Sequence, residues 1–220
     1  MGRLLNIVTS LHKKTKRDYV GRMNDNKIEC MKIAKKYGQE YWDGERRYGY
    51  GGYKYDGRWE IVARELVKYY DLKEDAKILD VGCGKGFLLY EFKKLLPSAQ
   101  IAGFDISKYA VENAKDEIRD RLFIHKAQTP YAFGDNEFDL VISLNTLHNI
   151  GINDLKSGLK EIERVGKKKY IVVESYRNEE ELFNLQCWAL TAEAFFKPDE
   201  WLWLFGELGY SGDYEFIYFQ

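Results

Sequence analysis

The stretch "LDVGCGKG", Leu79 to Gly86, decides how this chain is read. A short apolar run, "KILDVG", reads as a strand that stops at glycine. Glycines 82, 84 and 86 stand at alternate positions directly after it. Glycine lets a backbone turn sharply and come close to a ligand, and the following segment "GFLLYEFKKLL" has the pattern of a helix whose first N–H groups are free. The spacing is G-x-G-x-G after an acidic residue. A dinucleotide fingerprint would place its third glycine one residue later, and a P-loop would continue with Lys-Ser/Thr. Asp105 ends the next strand, "QIAGFDI", 19 residues beyond Gly86. A carboxylate there sits beside the glycine loop and suits the two hydroxyls of a ribose. In that order and spacing the two features point to an adenosine-containing ligand.

Outward from this loop, strand and helix signals alternate. "RWEIVARELVKYY" has helical spacing, with Ile61, Val62, Leu66 and Val67 on one face. Ser107 is placed to cap the helix "KYAVENAKDEI". "RLFIHKA", "FDLVISL" and "KYIVVES" read as further strands, and "LKSGLKEIERV" and "EWLWLFGELGY" as helices, before an aromatic last strand, "YEFIYF". This alternation implies an α/β, doubly wound, mostly parallel sheet covered on both faces. The 220 residues suit one such domain with an N-terminal extension. With 45% hydrophobic residues the chain is not mainly disordered, and a net charge of −1 gives no global basic field for nucleic acid. Three scattered cysteines, Cys30, Cys83 and Cys187, form no CxxC pair; neither a disulfide framework nor a zinc site is expected. No clustered histidine or carboxylate pattern suggests another metal. The apolar run near the N-terminus is too short for a signal peptide or membrane span, and the expected location is cytoplasmic.

"ILDVGCGKG", "GFDIS" and "DNEFDLVISLNTLHNI" resemble the successive motifs of the class I S-adenosylmethionine-dependent methyltransferases, over about Ala76 to Phe219. The resemblance implies a seven-stranded sheet whose aromatic last strand is inserted antiparallel. It implies S-adenosyl-L-methionine as cofactor, with Asp80 and the loop Gly82, Cys83, Gly84 and Gly86 at its methionine moiety. Asp105 would hold the ribose, Ile106 would pack on adenine, and Asn145 would line the pocket. The family's Asp-Ala pair after the third strand is missing from "HKAQTPYAFGDNEFD"; Gln128 is nominated to accept the adenine amino group in its place.

The chemistry is written less plainly. Methyl transfer is an in-line displacement in which orientation supplies much of the rate, and a base is needed only when the acceptor must lose a proton. His148 is the candidate base, though a helix-capping histidine suits the same position. Glu174, at the end of "VVES", is a second candidate at the same sheet edge. His12 has no constellation around it in the sequence. No N/D-P-P-Y/F signature of base-amine methylation is present.

Residues 1–58 read as a basic, helix-prone extension and then "YWDGERRYGYGGYKYDGRW", Tyr41 to Trp59; residues 59–220 read as the cofactor-binding domain. The aromatic stretch has no apolar period, and neither a helix nor a buried strand is expected in it. Its charge is nearly balanced and it has no RGG repeat, against an RNA-binding tail. A surface-packed loop and a lid both remain. As a lid it would offer Arg46, Arg47, Tyr48, Tyr50, Tyr53 and Arg58 to the acceptor. The resulting expectation is methyl transfer to oxygen or nitrogen of a small, anionic metabolite or sugar-like acceptor, with no nucleic-acid or membrane partner. The alternatives are an RNA or protein methyltransferase and a non-catalytic cofactor-binding module.

Overall fold

The computed structural model describes residues 2–13, 15–51 and 53–220; Lys14 of the basic run and Gly52 of the aromatic stretch lie outside them. Six strands form one sheet: β1 (Lys77–Val81), β2 (Gln100–Asp105), β3 (Leu122–Ile124), β4 (Phe138–Leu144), β5 (Gly166–Glu174) and β6 (Asp213–Ile217). Their order is β3-β2-β1-β4-β5-β6, and every neighbouring pair is parallel. The strands alternate side chains between two covered faces, as a period of two requires. Ile78, Leu140, Ile142, Tyr170 and Val172 point into one core; Leu79, Val81, Val141, Ile171 and Val173 point into the other.

Among the described residues the α-helices are, in chain order, α1 (Thr9–His12), α2 (Tyr19–Asn24), α3 (Lys27–Ala34), α4 (Gln39–Asp43), α5 (Glu60–Tyr70), α6 (Phe87–Leu95), α7 (Lys108–Glu112), α8 (Ile152–Val165), α9 (Glu179–Trp188) and α10 (Pro198–Glu207). Val62, Ala63 and Leu66 of α5, Leu88, Leu89 and Phe92 of α6, and Leu185 of α9 cover the first face. Leu155, Leu159 and Ile162 of α8, with Trp201, Leu204 and Phe205 of α10, cover the second. In α5 the buried stripe is Val62, Ala63, Leu66 and Tyr70, and Ile61 faces outward at 56% exposure. Ser107 caps α7 as expected, accepting the Ala110 N–H.

Two expectations about the sheet fail. The last strand is not antiparallel: β6 runs parallel to β5, from Tyr170 opposite Asp213 to Glu174 opposite Ile217. The α10 helix carries the chain back to the starting edge of β5, and a strand entered from there runs the same way. Nor is there a seventh strand among the described residues. The free edge of β6 is covered instead by residues 2–5, with Leu4 bridged in parallel to Tyr214. Leu5 N–H donates to the Tyr214 carbonyl (2.8 Å), and Tyr214 N–H to the Arg3 carbonyl (3.0 Å). This pairing delivers α1 and the residues after it to the carboxyl end of the sheet.

Candidate active site

Strand order reverses between β1 and β4, and the carboxyl ends of the strands there leave a crevice, the usual ligand position in an open parallel sheet. A cavity of about 400 Å³ occupies it, within the range for small-molecule sites. After β1 the chain turns through Gly82 (φ +79°) and Gly84 (φ +54°), a region closed to most side chains. The Gly82 and Cys83 N–H groups both donate to the Phe104 carbonyl, which binds the loop to the end of β2. A side chain at Gly84 would strike the Trp42 ring, 2.7 Å from the position of a Cβ. Glycine is thus required where the N-terminal extension lies on the loop.

Asp105 is 8% exposed. Its Oδ2 accepts the Gly84 N–H and its Oδ1 the Ser107 N–H, each at 2.8 Å. Each oxygen keeps a further lone pair for a ligand hydroxyl. Asp80, 5% exposed, also lines the cavity, and burial next to Asp105 pushes its carboxyl up to about 8. Gln128 lends its amide N–H to Asp154 (3.3 Å), leaving its amide oxygen as an acceptor at the cavity wall. Ile106 is 48% exposed there, an apolar surface for a flat ring. Asn145 holds a left-handed backbone (φ +56°) fixed by its N–H to the Val172 carbonyl, and also lines the cavity.

Residues 72–207 match the model of a family described as a methyltransferase domain. The chain belongs to the class I S-adenosylmethionine-dependent methyltransferases. Among curated proteins it is 30% identical to the rat mitochondrial arginine-hydroxylase NDUFAF5 over 61% of this chain and 38% of that one. It is 34% identical to ribosomal RNA small subunit methyltransferase C of Haemophilus influenzae over 44% of this chain and 30% of that one. The chain thus spans well under half the length of the curated relatives it matches. The fold is shared with YcgJ of Bacillus subtilis: TM-score 0.54, 20% identity, 66% of each chain.

The residues fit the cofactor of this methyltransferase family. The Asp80 carboxylate accepts no hydrogen bond among the described residues and suits an ammonium group; the free lone pairs of Asp105 suit a ribose diol; Ile106 and Gln128 suit the face and edge of adenine. Gly82, Cys83 and Gly84 line the same cavity. Gly86 does not; it caps α6, and a side chain there would meet Ile118 and Leu122.

His148 and Glu174 also line the cavity. His148 is 3% exposed, and its burial holds the imidazole down to about 3, hence neutral. Its Nδ1 accepts the Glu174 backbone N–H (3.3 Å), which leaves the proton on Nε2, 3.4 Å from Glu174 Oε2. That contact lacks hydrogen-bond alignment, and the buried Oε2 has no partner. Burial pushes the Glu174 carboxyl up to about 7, opposed by the charge of Arg17.

The described residues of the aromatic stretch include helix as well as loop: α4 covers Tyr41 to Asp43, and a 3-10 turn covers Arg46–Tyr48. A single turn suffices here because packing, rather than apolar period, holds it. Trp42 Nε1–H donates to Ser107 Oγ (2.8 Å), and Lys85, 7% exposed, pairs with Asp43 (2.7 Å). Tyr50, Tyr53 and Arg58 line the cavity. The Tyr50 hydroxyl is committed to the Leu190 and Thr191 N–H groups, and Arg58 pairs with Asp56. Arg46, Arg47 and Tyr48 do not line it. Arg46 donates to the Tyr50 carbonyl, Arg47 pairs with Asp25, and Tyr48 packs against the cluster of Cys30, Ala34 and Leu190. Their place is taken by residues the sequence did not single out: His12 and Arg17 from the N-terminal segment, Tyr37, Tyr41 and Trp42 around α4, and Trp188 at the end of α9. No local motif marks them. The pairing of residues 2–5 with β6 carries the first two toward the site.

Proposed function

We propose that this chain transfers a methyl group from S-adenosylmethionine to an oxygen or nitrogen of a small acceptor. One observation carries the reading: the same cavity is lined by Asp80, whose carboxylate accepts no hydrogen bond among the described residues, and by Glu174, whose buried Oε2 has no partner. The first is suited to the cofactor and the second to a proton. When bound, the cofactor supplies a methyl group on a sulfonium sulfur, which keeps the electron pair of the broken bond as a thioether. The acceptor's lone pair forms the new bond, and the Glu174 carboxylate receives the proton it releases. A carboxyl held at about 7 is well matched to that task near neutral pH. His148, neutral and holding the Glu174 backbone N–H through its Nδ1, fixes the end of β5 and is not itself the base. The cavity, about 400 Å³, is of the size that takes small molecules, which supports a metabolite acceptor.

Glu174→Gln should lower kcat by roughly 10²–10⁴-fold with the Kd for S-adenosylhomocysteine within twofold of wild type. Because the deprotonated carboxylate is the active form, the wild-type rate should rise with pH through about 7, and that limb should vanish in the variant. An unchanged kcat removes Glu174 from the mechanism. The relatives, one named a ribosomal RNA methyltransferase and one an arginine hydroxylase, support a second reading in which the acceptor is RNA or protein. Labelled cofactor incubated with a cell extract separates the readings: counts in RNA or protein favour the second, and counts in small molecules the first. S-Adenosylhomocysteine binding with no transfer at all would favour a non-catalytic module.

A further inference from the structure

Arg17 is a half-buried cation that reaches the cavity wall without a carboxylate to meet it. Its terminal nitrogens donate to the Thr15 carbonyl (3.0 Å), the His12 carbonyl (3.3 Å) and His12 Nδ1 (3.2 Å), all neutral partners. Its Nε–H is buried and has no partner. No acidic side chain comes within ion-pair distance among the described residues. The guanidinium lies between the Trp188 ring (5.4 Å) and the Phe219 ring (5.3 Å), which hold it at the wall.

Two further cations gather on the same tryptophan. Arg22 lies 4.3 Å and Arg46 5.5 Å from the Trp188 centroid. Arg22 donates to the Trp188, Arg46 and Gly49 carbonyls, and Arg46 to that of Tyr50, again without a carboxylate. The charged groups facing Arg17 are therefore Glu174, across the cavity, and Arg46; the titratable Tyr19 and His12 complete its surroundings. Cations drawn from water are ordinarily paired, and a guanidinium matches carboxylate and phosphate oxygens through its fixed donors.

We infer that Arg17, in the field of Arg22 and Arg46, is the anion clamp of the acceptor subsite: the acceptor is a small molecule bearing a carboxylate or phosphate, held with its nucleophilic atom toward Glu174. This rests on the methyltransferase reading and adds the acceptor's charge and the residue that reads it. Arg17 is a binding residue delivered by the pairing of the N-terminal segment with β6. The anion contact expected of Arg46, Arg47 or Arg58 thus passes to Arg17, in the N-terminal segment.

The test uses the full chain, methyl-labelled S-adenosylmethionine and a small-molecule extract, with products separated on an anion exchanger at neutral pH. The labelled product should be retained. Retention lost after phosphatase marks a phosphate, and retention lost in acid without phosphatase marks a carboxylate. Arg17→Gln should cut labelling at subsaturating acceptor at least tenfold through KM, with S-adenosylhomocysteine affinity within twofold. Arg17→Lys should recover part of it, and Arg64→Gln, in an exposed pair on α5, should change nothing. Thermal melts of both Arg17 variants separate loss of the clamp from loss of the fold. A labelled product that is neutral, cationic or macromolecular overturns the clamp, as does Arg17→Gln that labels like wild type. Failure to bind S-adenosylhomocysteine would instead remove the methyltransferase reading beneath it.

Discussion

Asp80 and Asp105 end neighbouring strands and are almost equally buried, yet they stand in different electrostatic positions. Asp105 has two backbone N–H donors that offset part of its desolvation. Asp80 accepts none among the described residues and has Asp105 as a neighbouring charge, which is why its carboxyl rises to about 8. The linkage sign follows. A raised carboxyl binds more protons folded than unfolded, so its contribution to stability is full below about pH 4 and is lost as pH rises toward 8. Asp80→Asn should therefore stabilise the free protein in alkali, by ~1–3 kcal/mol at pH 9 and little at pH 5, read as melting temperature against pH. The same variant should weaken S-adenosylhomocysteine binding at least a hundredfold, on the proposed contact of Asp80 with the ligand's ammonium. A variant that binds normally would take Asp80 out of the site. The gain in stability with loss of binding is what a buried charge kept for a ligand produces.

At the level of elements, Glu215 of β6 joins the N-terminal segment to the sheet. Its carboxylate, 1% exposed, accepts the N–H groups of Ile7 (2.6 Å), Val8 (3.0 Å) and Thr9 (2.6 Å), the Thr9 hydroxyl and the Tyr170 hydroxyl. Every ligand is a donor, so an amide in its place turns one N–H₂ toward donors. Glu215→Gln should cost roughly 2–4 kcal/mol and speed hydrogen exchange at Ile7, Val8 and Thr9 ahead of the core strands. Unchanged protection there would show that edge pairing alone holds the segment. This latch also explains what could be read from the sequence and what could not. The β1–loop–β2 unit was legible because its strand, glycines and Asp105 are close in the chain and each is a local signal. The direction of β6 was not: the residues of a strand fix its pleat, whereas its direction depends on where α10 returns the chain. His12 and Arg17 were illegible as site residues for a related reason. Their placement depends on contacts such as Arg3 N–H to Asp213, spanning 210 positions, for which no short pattern exists.

For the whole molecule, we propose that the N-terminal extension acts as a lid, held closed by its contacts with the glycine loop and the start of α7. Trp42 covers Gly84 and donates to Ser107, directly beyond Asp105, while Asp43 accepts from Lys85 (2.7 Å) and the Tyr109 hydroxyl (2.8 Å). A ligand seated between Asp80 and Trp42 should be slowed in leaving by these contacts. Dissociation should then be limited by opening of the lid. Partial burial alone would raise the Asp43 carboxyl, but the Lys85 and Tyr109 hydrogen bonds hold it below its ordinary value. For a depressed carboxyl the stabilisation is present above the unfolded value, about 4, and is lost as pH falls through the lower folded value. Lid closure should accordingly weaken in acid. Asp43→Asn should raise the S-adenosylhomocysteine off-rate about tenfold at pH 7, equivalent to ~1.4 kcal/mol, and should flatten the acid dependence of that rate. Stopped-flow displacement, followed by tryptophan fluorescence with Trp42 as reporter, measures both. An off-rate equal to that of wild type at every pH would mean that ligands pass in and out beneath a closed lid, and the aromatic stretch would then be wall rather than gate.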